Sequence, residues 1–409
     1  MAIYTLPEQD VKDFLASYEL FDRERVSGSH DVQNTVNYYK VLNHLCAVGE
    51  VEKMYIPPVV DPSLSIFENQ LLWEEATADR LGIMPGGRVL DLGCGRGRVA
   101  HHVASYTGAH VTGLNIDRSQ IRMAQDYANV TDLLGKQLSF VYGNFNDPLP
   151  FADETFDALY QVQVLTYTVD PRKLFREMYR VLKPGAKLSF LDWVQLPDYN
   201  ETDAYHLELL KKVKPLLGAV WTPKVSDFTG PLQEEGFHIL SSQEASITGG
   251  QYALIEKARS FFEATGMLLR ALAKLHLIPR HFVTLFDRLT QDGEAFMESD
   301  RLGLFTTSWQ IVAQKPPTER AEVNDARCLV AIAVRGAAVQ ASAAGEELAA
   351  LGHSSPQMLV QDTDIDTTTL EFGQEPSRDF MLGFCVLLAA SASRAEHPLS
   401  RGLEASLEE

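Results

Sequence analysis

The chain has 409 residues, 45% of them hydrophobic, enough for a sizeable core and for one large domain or two to three ordinary ones. Its net charge of −19 excludes a general nucleic-acid binder, because contacts to phosphates need clustered lysine and arginine. Four widely separated cysteines, Cys46, Cys94, Cys328 and Cys385, have no metal-ligand spacing and point to a reducing compartment rather than a disulfide framework. With no run of about 18 apolar residues and no basic region leading into an apolar one at the start, neither a transmembrane helix nor a signal peptide is expected.

Residues 1–35 are polar and helical in part, and 36–85 read as helices around a break at "MYIPPVVDPSLS", where Pro57, Pro58 and Pro62 forbid continuous helix. From Arg88 the pattern alternates. "RVLDLG", "HVTGLNI", "LSFVYGNF", "FDALYQVQV" and "KLSFLDWV" read as strands. "RVAHHVASYTG", "SQIRMAQDYANVTDLLG" and "PRKLFREMYRVLKPGA" read as helices, the last ending at Pro184-Gly185. Strands alternating with helices predict a parallel sheet covered on both faces. Residues 200–300 are mostly helical around the strand-like "GFHILSSQEAS". The apolar stretch from Ser260 to Phe286 is broken by Glu263, Arg270, Lys274 and His276, so it reads as an amphipathic or interfacial element rather than a span. "TTSWQIVAQKP" reads as a closing strand. No lysine, tyrosine or tryptophan follows Lys315, and residues 317–409 read as a partly disordered appendage.

The stretch "VLDLGCGRGRVA", residues 89–100, carries the first chemical signal. A buried strand ends at Asp91, and Gly93, Gly95 and Gly97 allow a sharp turn and close backbone approach of a ligand. A helix then starts near Arg98 with its free N–H groups facing the turn, although Arg98 itself opposes the helix dipole. The spacing G-x-G-x-G lacks the last interval of the dinucleotide fingerprint, which argues against a dehydrogenase, and a purely structural turn is the competing reading. Asn115 ends the second strand 24 residues after Asp91, near the spacing at which a residue meets a ribose, and Asn144 with Phe145 ends the third, placed to meet an adenine edge. Cys94 reads as a packing residue, and His101-His102 completes no metal-ligand set; no metal is expected.

This ordered set resembles the class I S-adenosylmethionine-dependent methyltransferases. "YYKVLNHLCAVGE", "TGAHVTGLNIDRSQI", "REMYRVLKPGAKLSFLDWV", "LPDYNETDAYH" and "SDFTGPLQEEGFHIL" are similar to the sterol 24-C-methyltransferases over roughly residues 35–316. The resemblance implies a Rossmann-like α/β sheet with helices on both faces, plus helical N-terminal and C-terminal acceptor-binding elements. The implied segments are a helical cap over 1–85, a cofactor-binding core over 86–200, a sterol-methyltransferase-like region over 201–316 and the appendage over 317–409. It implies S-adenosylmethionine as cofactor. Asp91 would orient the loop and the methionine ammonium, the three glycines would give backbone access, Asn115 would bond ribose hydroxyls, and Asn144 with Phe145 would frame the adenine.

The departures bear on the acceptor. The family's aromatic segment "YEYGWG" falls where this chain reads "LCAVGEVEK" and then "MYIPP", and its "IEATCHAP" corresponds to "VQVLTYTV", so its glutamate becomes Gln163 and its histidine Tyr167. Asp192-Trp193, Tyr199 and His206 match the family. The implied reaction is methylation, favouring carbon, of a lipophilic small molecule that is sterol-like, terpenoid or polyketide-derived. In such a C-methylation an acceptor alkene attacks the methyl group and a carbocation forms. Tyr167 or Trp193 would stabilise it, and Asp192 or His206 would take the proton. Tyr55, Gln163 and Tyr167 would contact the acceptor, in an apolar pocket built from residues 40–70, the stretch around Gln163 and Tyr167, and the C-terminal helices. The open alternatives are an O- or N-methyltransferase, a cyclase using the bound sulfonium as a fixed charge, and a non-catalytic cofactor-binding subunit. The expected location is the cytoplasm; peripheral contact with an internal membrane and self-association into a homo-oligomer are left open.

Overall fold

The computed structural model describes residues 6–48 and 52–318. Seven strands form one sheet: β1 (Arg88–Leu92), β2 (His110–Asn115), β3 (Leu138–Tyr142), β4 (Phe156–Val162), β5 (Leu182–Gln195), β6 (His238–Glu244) and β7 (Phe305–Gln314). Their order is β3-β2-β1-β4-β5-β7-β6. The first five strands run parallel, and β7 is antiparallel to both β5 and β6. The chain therefore leaves β1 toward β2 on one side and meets β4 on the other, which is the switch point at which open α/β sheets leave a crevice.

The helices follow the apolar pattern of the chain. In order they are α1 (Glu8–Ser17), α2 (Gly28–Val48), α3 (Ile66–Leu81), α4 (Arg98–Thr107), α5 (Arg118–Val130), α6 (Pro171–Val181), α7 (Ala204–Leu217), α8 (Ser226–Glu234), α9 (Tyr252–Lys274), α10 (His281–Thr290) and α11 (Gly293–Arg301). α3 starts on a reciprocal cap between Ser65 and Glu68 and stops at Gly82, whose φ of 69° suits the left-handed residue after a helix. Asp170 caps α6, and Pro171 takes the first helical position, where no N–H is needed.

One face of the sheet is covered by α6 and α8, where Phe175, Phe190 and Phe228 meet ring to ring. The other is covered by α3, α4 and α5 through Leu81, Ala100, Val103, Ile121 and Ala124. A third apolar cluster joins helices from both ends of the described chain. Phe14, Phe21 and Tyr38 pack with Leu269, Ala273, Phe282 and Phe286, and Tyr167 belongs to the same cluster.

The structure ends β3 at Tyr142 and α5 at Val130, short of the expected bounds, and changes the end of α6 most. α6 stops at Val181, and the chain is already extended through Pro184-Gly185, because Gly185 N–H donates to Lys315 O (2.9 Å) and Gln314 Nε2 donates to Gly185 O (2.8 Å). Pairing with the distant end of β7 overrides the helix pattern here. The "MYIPP" break is an extended strap tied down by polar groups. Val59 N–H donates to Ser246 Oγ (3.0 Å), and Gln251 Nε2 donates to the carbonyls of Ile56 and Pro57 (3.1 and 2.9 Å).

The appendage expected from residue 317 lies outside the described residues apart from Pro317 and Thr318. Every strand and helix above precedes it. A chain ending at Pro317 keeps all of these elements and is therefore expected to stay soluble and to unfold cooperatively on heating. A chain ending at Leu304 removes the partner of both β5 and β6 and is expected not to fold.

Candidate active site

The site grows from the end of β1. Gly93 and Cys94 N–H both donate to Leu114 O (2.8 and 3.1 Å), which folds the loop back over β2. A Cβ at Gly97 would lie 2.8 Å from Phe140 and from Ala124 Cβ, so only glycine lets α4 start this close to β3 and α5. Gly95 differs: its φ is +51°, and a Cβ there would meet nothing within 4 Å. Its bare backbone faces open space, which is what close approach of a ligand requires.

Asp91 stands directly below the loop. Its side chain is buried and accepts one hydrogen bond, from Tyr160 OH at 3.2 Å. Burial pushes its pKa up to about 7 against that hydrogen bond, and the nearby Glu74 adds to the rise. No cation partners this carboxylate among the described residues. A buried acid short of positive charge is the feature that a ligand ammonium would complete.

Asp91, Gly93, Gly95, Asn115, Asn144 and Phe145 line a single cleft at the switch point. Asn115 is buried, and its Nδ2 donates to Gln120 Oε1 at 2.6 Å. Asn144 Oδ1 accepts from Asn146 N–H at 3.0 Å, a local turn that leaves its amide nitrogen uncommitted in the hydrogen bonds described. Cys94 also lines the cleft, but its thiol packs over Gly113, and burial beside Asp91 pushes its pKa far up. It is a packing residue, not a nucleophile.

Tyr55, Gln163 and Tyr167 line the same cleft. Tyr167 OH donates to Gly218 O at 2.7 Å and lies 3.4 Å from Tyr39 OH; burial raises its pKa well above the usual value, so it is no base. Gln163 takes a left-handed φ of 53° and donates through Nε2 to Ile56 O and Thr307 O, both at 2.9 Å. Its amide nitrogen is spent on joining the strap to β7.

Three expected catalytic residues stand elsewhere. Asp192, Trp193 and His206 are absent from the cleft wall. Asp192 is buried and takes hydrogen bonds from Gln161 Nε2 and from the N–H groups of Val164, Leu165 and Trp193. Burial still raises its pKa to about 6 against these bonds, three of which meet Oδ2 and one Oδ1. Trp193 stacks on Phe305 with centroids 4.9 Å apart, inside the core under α7 and α11. His206, near the start of α7, accepts from Asn200 N–H at 3.1 Å and stacks on Tyr199. Among the described residues, no side chain of α9 to α11 lines the cleft; the apolar residues described on α9 and α10 join the third cluster instead. Its second wall comes from Val26 and, on α2, from Val32, Thr35 and Tyr39.

Sequence reasoning missed a buried polar network beside the site. Glu74 accepts from Lys53 Nζ, from Tyr55 OH and at His102 Nδ1, each at 2.6 Å. Lys53 and Tyr55 line the cleft, and Arg96 Nη2 donates to Glu52 O at 3.0 Å, so the strap is fastened to the glycine loop. A signal existed. Gln70, Glu74, Thr77 and Ala78 share the buried stripe of α3 with Trp73 and Leu81, and a glutamate on a core stripe needs a buried partner. Among the described residues no group of three or more His, Cys, Asp or Glu side chains could hold a metal ion.

Residues 90–190 match the family described as a methyltransferase domain. With the sheet order and the loop, this defines the chain as a class I S-adenosylmethionine-dependent methyltransferase. It resembles the sterol 24-C-methyltransferases: it is 29% identical over 263 residues to sterol 24-C-methyltransferase ERG6A of Gibberella zeae, covering 59% of this chain and 68% of that protein. It is also 29% identical over 265 residues to botryococcene C-methyltransferase of Botryococcus braunii, covering 62% of this chain and 68% of that one. Among solved structures, the [4+2]-cyclase SpnF shares the fold with a TM-score of 0.54 at 21% identity, covering 70% of this chain and 97% of SpnF.

Binding of S-adenosylhomocysteine, measured by calorimetry, tests the cleft. Gly95→Val is expected to weaken it at least about 100-fold, because a branched residue is strained at positive φ and fills the approach. Asp91→Ala is expected to cost about 10- to 100-fold, the span of one charge-assisted hydrogen bond. The pH dependence follows from the raised pKa of Asp91. In the free protein, the stability tied to neutral Asp91 is present below about pH 4 and lost as pH rises through about 7. A ligand cation selects the ionised form, so affinity is expected to climb through the same range and level off above it. Asp91→Asn is expected to flatten that rise.

Proposed function

We propose that the enzyme methylates a carbon atom of a lipophilic small molecule, terpenoid or polyketide-derived, in the cleft at the switch point. The observation that carries the reading is one continuous cleft with two unlike walls. Asp91 and the glycine loop offer a carboxylate and bare backbone. Val26, Val32, Tyr39, Phe145, Val162, Val164 and Tyr167 offer an apolar and aromatic surface. Its similarity to proteins named for methylating sterols and botryococcene supports a lipophilic acceptor.

When bound, S-adenosylmethionine supplies an electrophilic methyl group. The chain's own groups do the rest. Asp91 holds the ammonium end, and Asn115 and Asn144 with Phe145 hold the nucleoside end. A carbon acceptor gains positive charge as it is methylated, and the faces of Tyr39, Phe145 and Tyr167 stabilise such charge. Asp192 acts at one remove: by accepting from Val164 and Leu165 N–H it fixes the turn that carries Tyr167. Gln163 holds the strap that brings Tyr55 to the cleft wall.

The test is the mass of the product after incubation with methyl-labelled S-adenosylmethionine and a panel of polyprenyl, sterol and polyketide acceptors. A labelled C-methyl product is expected from an acceptor other than a plain sterol with a side-chain alkene, because Gln163 and Tyr167 replace the family's glutamate and histidine. A rearranged product of unchanged mass would overturn methyl transfer in favour of cyclisation. Tyr167→Phe keeps the ring and is expected to hold kcat within about threefold, whereas Tyr167→Ala is expected to lower it at least about tenfold.

We also propose peripheral contact with a membrane. Met267, Leu268, Leu275 and Leu277, at the end of α9 and the turn after it, are exposed beside Lys274 and Arg280. Among the described residues no helix is long and apolar enough to cross a membrane. Co-sedimentation with anionic vesicles is expected, and the Leu275→Ser/Leu277→Ser double variant is expected to reduce it severalfold.

A further inference from the structure

We infer that Asp117 sets the direction of a buried chain of amides and so decides which atom Asn115 presents to the ribose of the cofactor. The inference rests on the cofactor site proposed above. Asp117 caps α5: its Oδ1 accepts from Ser119 N–H and Oγ, both at 2.7 Å. Its Oδ2 accepts from Asn43 Nδ2 at 3.3 Å. Asn43 Oδ1 accepts from Gln120 Nε2 at 2.9 Å, and Gln120 Oε1 accepts from Asn115 Nδ2 at 2.6 Å. All four residues are buried, at 8% exposure or less.

The order of donors and acceptors is forced from one end. An ionised carboxylate only accepts, so Asn43 must turn its NH2 toward Asp117. Its carbonyl then faces Gln120, which must turn its own NH2 to Asn43 and its carbonyl to Asn115. Asn115 must answer with its NH2. Reversing any single amide sets two donors or two acceptors face to face in a buried space. Asn115 Oδ1 is the atom left for the cleft that this residue lines.

A ribose presents two hydroxyl donors, and a fixed oxygen at this place accepts from one of them. Asn115 thereby offers what a carboxylate would offer, without a second buried charge near Asp117. Asn43 gives the chain a further consequence. It belongs to α2, which also carries Val32, Thr35 and Tyr39 on the opposite wall of the cleft. Asn43, Gln120 and Asp117 are positioning residues that link the acceptor wall to the ribose end.

The full-length protein is titrated by calorimetry with S-adenosylhomocysteine and with its analogue lacking both ribose hydroxyls. The wild type is expected to prefer the hydroxylated ligand by about tenfold or more. Asp117→Asn keeps a good helix cap but replaces the terminal acceptor with an amide that can face either way, and the preference is expected to fall severalfold. In the Asn115→Asp/Asp117→Asn double variant every bond of the chain can form in reverse. The amide introduced at position 117 gives its NH2 to the carbonyl of Asn43, Asn43 gives its own to Gln120, and Gln120 gives its own to the new carboxylate, so the preference is expected to return. A merely structural role for Asp117 would weaken both ligands alike. An unchanged preference in Asp117→Asn, or no recovery in the double variant, would overturn the inference while leaving the site intact. Failure of the wild type to bind either ligand would overturn the cofactor site itself.

Discussion

The chain leaves β1 for β2 on one side and later returns to β4 on the other, so the loops at the carboxyl end of β1 diverge and leave a crevice. The candidate site answers to that crevice. The loop after β1 needs glycine because it is squeezed from below, with Phe140 and Ala124 against Gly97 and Val164 against Gly93. The same squeeze leaves Gly95 facing outward with nothing over it. A strap from the segment before α3 lines the cleft with Lys53, Met54 and Tyr55 and is held by Glu74 and Gln163.

Two buried aspartates show why burial alone does not identify a working group. Asp91 and Asp192 both end up with raised pKa values, about 7 and about 6, and for both the largest cause is loss of water. Asp192 has four hydrogen-bond donors around it and holds a turn. Asp91 has one and borders open space. Unmet demand for positive charge, rather than the shift itself, separates Asp91 from the carboxylate that holds a turn.

The acceptor wall and the C-terminal helices also divide their work on physical grounds. α9 and α10 carry more apolar surface than one sheet contact could use, and the structure places it against α1 and α2. α2 in turn faces the cleft with Val32, Thr35 and Tyr39. The described side chains of α9 and α10 therefore bear on this wall of the cleft through the helix they support.

The sequence by itself determined the alternating strands and helices, the glycine loop above Asp91, and the places of Asn115 at the end of β2 and of Asn144 and Phe145 just beyond β3. These follow from local rules: apolar period, glycine at positive φ, and the single edge of a parallel sheet to which all its strands point. Only the tertiary structure decided the rest. Pro184-Gly185 became strand because β7 pairs there from 129 residues away. Asp192, Trp193 and His206, adjacent to the site by resemblance, turned to other partners. Glu74 joined Lys53 across 21 residues, and Gln120 joined Asn43 across 77. A hydrogen bond between side chains so far apart leaves no period and no spacing in the chain, because its energy depends on where the fold removes water and not on what stands next in sequence.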